Sequence, residues 1–109
     1  MTVQISTTFD LPGHRVVETR GLAWGLIVRS IGIAKGFTGG LKSLRAGEVS
    51  EYTDVVDKTR HTAIERLLAH AAEQGGNAVL GVRFDSSELG QGLAEIVAYG
   101  TVAVVEPLA

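Results

Sequence analysis

The sequence predicts a single α+β domain in which one long helix packs on an antiparallel sheet. Three observations predict it. A stretch of about 24 residues in the middle of the chain carries helical periodicity. Segments rich in Val, Leu and Ile flank it on both sides. The length, 109 residues, suits one core, since a chain of this size buries about 65% of the surface its unfolded form exposes. Apolar residues are 45% of the chain and charged residues 20%, the composition of a folded globular protein.

The elements follow in chain order. Val3 and Ile5 alternate as in a short strand. Leu11-Pro12-Gly13 predicts a turn, because proline fixes φ and glycine accepts a positive one. From His14 to about Arg29 the pattern predicts one long strand, or two joined at a bend near Gly21. Val16, Leu22, Trp24, Leu26 and Val28 share one parity, expected to be a buried sheet face. Glu18 and Arg20 interrupt it, so part of that face is expected to meet solvent or another chain. Ser30 to Gly47 mixes five glycines with Ile31, Ile33, Phe37 and Leu41, apolar side chains on a flexible backbone that need a surface such as a neighbouring subunit.

Glu48 to Gln74 is the clearest element. Val49, Tyr52, Val56, Ala63, Leu67 and Ala71 form one helical stripe. Ser50 is placed to cap the N-terminus, with Glu51 and Asp54 near the positive end of the dipole. Gly75-Gly76 stops the helix, which at about 24 residues is roughly 36 Å long. Asn77 to Asp85 is expected as a strand with Leu80, Val82 and Phe84 on one side and Val79, Gly81, Arg83 and Asp85 on the other. Ser86 to Gly92 reads as a polar connection longer than a tight turn. Leu93 to Val105 closes the sheet. It is apolar on both parities, so both its faces should be covered, and a single helix leaves the second cover to another copy.

Several function classes are excluded or disfavoured. The net charge is −2 and the ten basic residues are scattered from Arg15 to Arg83, giving no basic face for nucleic acid. There is no cysteine, so disulfides and thiolate metal sites are ruled out. The first residues lack a signal-peptide pattern, and no apolar run of about 18 residues exists to span a membrane. A cytoplasmic location is the expectation.

The candidate chemistry is sparse. Asp57, His61 and Glu65 stand at i, i+4, i+8 on one helix face, a set that would suit Zn²⁺ or a similar divalent transition metal, within one helix or across a subunit contact. The same spacing equally makes a solvated face with a supporting Asp57–His61 pair. His70 falls on the apolar stripe and is expected to be hydrogen-bonded in the core or at an interface. Arg60 is expected in a structural ion pair with Glu18 or Asp85. Gly36 to Ser43 approaches a phosphate loop but has Leu41 where glycine must precede the lysine. Trp24, Phe37 and Tyr99 either pack in the ordinary way or line an apolar ligand site between subunits. No serine sits in a nucleophile-elbow motif.

The chain resembles the YbjQ-like family of small bacterial and archaeal proteins. The likeness is carried by Glu51-Tyr52-Thr53, Arg60 with Ala63, the run Gly76-Asn77-Ala78-Val79-Leu80-Gly81-Val82-Arg83-Phe84-Asp85, and Ala98-Tyr99-Gly100-Thr101-Val102-Ala103-Val104. Ser6-Thr7-Thr8 and Gly13 match the family's opening, and the likeness is loose from Ser30 to Gly47. It implies a dodecin-like β-α-β-β subunit with extra short strands at the N-terminus, assembled as a homopentameric ring. It also carries the label "putative heavy-metal-binding" without an established role. The expected function is a homo-oligomeric binding or scaffold protein with a metal or small ligand at subunit contacts. The alternative is a small enzyme whose site, around Arg60, His70 or Tyr99, is shared between subunits.

Overall fold

A computed structural model describes residues 2–30 and 50–109, the side chains of Ser50, Glu51 and Tyr52 excepted. The phosphate-loop-like stretch, Phe37, Val49 and the capping role of Ser50 therefore lie outside the described residues. The elements are β1 (Gln4–Ile5), β2 (His14–Ser30), α1 (Ser50–Glu73), β3 (Ala78–Gly90) and β4 (Leu93–Pro107). The sheet order is β1-β3-β4-β2. Neighbours β3–β4 and β4–β2 are antiparallel, but β1 runs parallel to β3. The sheet is therefore mixed, where an antiparallel one was expected.

The helix ends where glycine allows it to. Gly75 has φ +81°, its N–H bonds the Ala72 carbonyl, and the Gly76 N–H reaches the Ala71 carbonyl, both at 3.0 Å. That pair of bonds satisfies the last carbonyls of the helix. Ala63, Leu67 and Ala71 are fully buried on the inward stripe, with Val56 packed beside them. Thr59 joins the buried side, its hydroxyl satisfied by the Val55 carbonyl at 2.7 Å.

Helix α1 sits on β2 and β4 through small residues. Ala23, Gly25 and Ile27 of β2 face it, with Ile96, Ala98 and Val102 of β4. A Cβ on Gly25 would collide with the backbone of Ala63 and Leu67. The larger residues of β2 lie on the opposite face: Leu22, Trp24, Leu26 and Val28 are between 41% and 56% exposed. The face expected to be buried is thus the open one. Bulk marked the wrong parity because close helix approach selects small side chains.

The outward edge of β2 is closed by helix side chains in place of a strand. Arg66 donates to the Leu26 carbonyl at 2.7 Å, His70 lies beside the Trp24 backbone, and Gln74 donates to the Leu22 carbonyl at 3.1 Å. Helix residues four apart advance about 6 Å and strand residues two apart about 6.6 Å. The two repeats therefore keep step along the edge.

Two glycine positions reset the other strands. In β2, Gly21 takes φ +88° inside a register shift between Thr19 and Leu22; the strand bends there but stays one element. In β3, Gly81 takes φ +61° at a shift between Leu80 and Arg83. This bulge reverses the alternation. Leu80 joins Leu11, Ala78, Ala103 and Val105 on the outer face, whereas Val82 belongs to the helix-side core. The expected grouping of Leu80 with Val82 fails for that reason. The connection after β3 is also shorter than expected. The strands run to Gly90 and Leu93, and Gln91 and Gly92, both with positive φ, form a two-residue turn, the conformation that matches strand twist.

Both faces of the last strand are covered within one chain over its C-terminal half. Val102 lies under α1, and Ala103 and Val105 lie under Leu11 of the N-terminal segment. The expectation that another copy must cover β4 is corrected on this point. Leu11 is held there by the Leu11–His14 turn, with a bond of 3.0 Å from the His14 N–H to the Leu11 carbonyl. Asn77 adds a clamp. Its side chain donates to the Val105 carbonyl at 2.9 Å and accepts from the Val105 N–H at 2.8 Å.

Gly25→Ala should lower stability by about 3 kcal/mol or more, because helix backbone must move. Asn77→Ala should cost about 2 kcal/mol by stranding two backbone groups of β4. Urea denaturation of the variants checks both.

Candidate functional site

Two places on the chain gather the residues singled out by the sequence. The first is a shallow hollow of about 240 Å³ between α1 and β3, lined by Asp57, Arg60, His61, Ile64 and Phe84. The 3.6-residue repeat puts Asp57, Arg60, His61 and Ile64 on one side of the helix. The bulge at Gly81 puts Phe84 on the sheet face that meets them. His61 Nε2 stands 3.6 Å from an Asp57 carboxylate oxygen, with both side chains more than 70% exposed. Glu65 is one turn on and exposed. Among the described residues no three His, Asp or Glu side chains gather closely enough to hold a metal ion.

Arg60 departs from expectation. Its guanidinium lies over the Phe84 ring, 5.1 Å from the centroid, an attraction between a cation and an aromatic face. The expected carboxylate partners are engaged elsewhere. Glu18 accepts from Arg20 at 2.7 Å, and Asp85 accepts the Ser86 N–H at 2.9 Å. The hollow thus has an aromatic floor, a cation fixed on it and an imidazole–carboxylate pair at its rim.

The second place is the open outer face of the sheet. Residues opposite one another in register share a face, and the register sets Trp24 beside Tyr99 and Tyr99 beside Arg83. Arg83 in turn lies 5.9 Å from the ring centroid of Phe9, which is 81% exposed. Arg83 is anchored by donating to the Thr7 and Val82 carbonyls at 2.8 and 2.9 Å. One row therefore crosses the sheet as Trp24, Tyr99, Arg83 and Phe9. Trp24 and Tyr99 are opposite one another in register; Phe9 and Arg83 were not anticipated. The strand register and the bulge place Arg83, and the bonds from the Gly81 N–H to the Thr8 carbonyl and from Arg83 to the Thr7 carbonyl hold Phe9 alongside.

The residues named for a shared enzymatic site do not converge within the chain. Arg60 lies at the hollow, Tyr99 on the opposite sheet face and His70 at the β2 edge. His70 has the expected hydrogen-bonded role, and His14 is turned onto the Pro12 carbonyl at 3.0 Å. Among the described residues no helix is long and apolar enough to cross a membrane.

Comparison with known proteins bears on this arrangement. A family model described as "Putative heavy-metal-binding" matches residues 3–106. The chain belongs to the YbjQ-like family. A UPF0145 protein of Methanoregula boonei is 51% identical over 105 residues, covering 96% of this chain and 87% of its own. A UPF0145 protein of Thermoplasma acidophilum is 47% identical, covering 95% and 87%, and one of Burkholderia lata is 42% identical with the same coverage. YbjQ-like relatives thus occur in archaea as well as bacteria, and a bacterial origin does not follow from kinship. A crystal structure of a protein of unknown function from Pediococcus pentosaceus, assigned to the DUF74 family, aligns with TM-score 0.64. Its identity is 14%, and the alignment covers 95% of this chain and 98% of that one. At that identity the likeness concerns the fold.

Arg60→Met keeps the apolar stem and removes the charge over Phe84. It should cost about 0.5–1 kcal/mol, the scale of an exposed cation–aromatic contact, read from the shift of a urea unfolding curve.

Proposed function

We propose that this YbjQ-like protein is a cytoplasmic homo-oligomeric binding or scaffold protein in which another copy covers the open face of β2 and β4. The observation that carries the reading is the row Leu22, Trp24, Leu26 and Val28, four large apolar side chains left 41–56% exposed on one sheet face. A contiguous apolar face of this kind on a small chain marks an interaction surface. The long, thin shape agrees with it. The Cα radius of gyration is 17.2 Å and the extents are 55 × 25 × 20 Å, against about 13 Å expected of a compact chain this long. A ring of five dodecin-like subunits is the assembly that the family resemblance suggests.

A bound transition metal is the second reading, favoured by the His61–Asp57 pair at the hollow and by the family's description. The pair supplies two ligand groups, and closed metal sites require four. The remaining ligands would then come from Glu65 by a side-chain rotation or from another copy.

Light scattering should give a mass that is a multiple of 11.5 kDa, and Trp24→Asp or Leu26→Asp should reduce it by placing a charge in the contact. A stable monomer at micromolar concentration overturns the assembly reading. For the metal, calorimetry with Zn²⁺, Ni²⁺ and Cu²⁺ should show binding at least about ten-fold weaker in His61→Ala. Equal affinity removes His61 from the ligand set.

A further inference from the structure

Arg83 is a cation held in place without a counter-charge. Arg15 and Arg20 pair with Glu106 and Glu18, but among the described residues no carboxylate pairs with Arg83. Asp85, the next carboxylate on that face of β3, stands about 6.6 Å along the strand and accepts the Ser86 N–H at 2.9 Å. The Arg83 guanidinium is fixed by carbonyls instead. Its Nη1 donates to Thr7 at 2.8 Å and to Val82 at 2.9 Å. The Thr7 segment is itself tied to β3, since the Val82 N–H bonds the Ser6 carbonyl at 2.9 Å and the Gly81 N–H bonds the Thr8 carbonyl at 2.7 Å. A guanidinium has five N–H groups. Nη1 uses its two, and the three on Nε and Nη2 have no acceptor among the described residues. The Nε–H and one Nη2–H point the same way, the fork that takes both oxygens of a carboxylate.

Aromatic rings stand on both sides of this cation. The Phe9 ring centroid is 5.9 Å from the guanidinium carbon, and Phe9 is 81% exposed. Its ring rests on Gly81, where a Cβ would come within 2.8 Å of it. On the other side Tyr99, half-buried, is opposite Arg83 in register. We propose that Arg83, Phe9 and Tyr99 form a binding site for a small aromatic carboxylate. The carboxylate meets the Nε and Nη2 fork, and the ring lies against Phe9 and Tyr99. Charge and shape choose this occupant. An inorganic anion would match the cation and leave both rings without a partner, and a neutral arene would do the reverse. The guanidinium is already fixed, so little freedom is lost when the anion arrives. The site is complete within one chain. It borders the face of β2 and β4 proposed for another copy, and does not depend on that copy.

Calorimetry of the full chain with naphthoate tests the site. Naphthoate should bind about ten-fold or more tightly than naphthalenemethanol, which lacks the charge, and than acetate, which lacks the ring. Arg83→Met keeps the apolar stem and removes the fork, and should weaken naphthoate binding by about ten-fold or more. Phe9→Ala should weaken it by about three-fold or more. Arg60→Met removes the cation over Phe84 on the other side of the sheet and should leave the affinity unchanged. Four results would overturn the proposal: no saturable binding at millimolar naphthoate, equal affinity for either analogue, unchanged affinity in a folded Arg83→Met or Phe9→Ala, or equal weakening by Arg60→Met. Should Arg83→Met fail to fold by circular dichroism, Phe9→Ala, at an exposed position, and the two analogues decide.

Discussion

How closely α1 can approach β2 governs the rest of the molecule. Gly25 has no Cβ, and helix backbone occupies the space one would fill. With Ala23 beside it, the strand offers a nearly flat seat, and the helix comes near enough for Arg66, His70 and Gln74 to reach the strand's own backbone. Bulky residues at those two positions would hold the helix away and leave the β2 edge to water. The close approach therefore fixes both the core and the way the edge is satisfied.

The same arrangement divides the two sides of the sheet. Helix α1 shields one side, and the N-terminal segment shields the other around Leu11, over Ala78, Leu80, Ala103 and Val105, and at Phe9 beside Gly81 and Arg83. The rest of that second side holds Trp24, Tyr99, Arg83 and the apolar residues of β2. The hollow with Asp57, Arg60, His61 and Phe84 is on the helix side. The two candidate surfaces are thus separated by the thickness of the sheet, and occupation of one leaves the other accessible.

Much of the fold was legible in the residues. The bounds of α1 follow from its stripe and from Gly75-Gly76, and the turn at Leu11-Pro12-Gly13 follows from its composition. The reading failed where one residue changes phase or where size misleads. Leu22, Trp24, Leu26 and Val28 read as core because they are large, yet Ala23 and Gly25 are the buried residues. The bulge at Gly81 exchanged the faces of Leu80 and Val82, which strict alternation cannot foresee. At the hollow, the Asp57–His61 pair was visible as an i, i+4 spacing, whereas Phe84 beneath Arg60 required tertiary structure. The spacing of Arg66, His70 and Gln74 was present in the sequence, but nothing local says that a strand edge runs alongside it.

The side-chain ladder has a bearing on solubility. An unpaired strand is a template on which further strands can stack, the first step toward fibres. In this sheet β2 already has its outward Leu22, Trp24 and Leu26 carbonyls occupied by arginine, histidine and glutamine groups. An incoming strand would have to displace a helix. Endless ribbon growth needs a receptive border, and here the Leu22–Leu26 stretch of one border is plugged, so backbone stacking on that stretch is blocked.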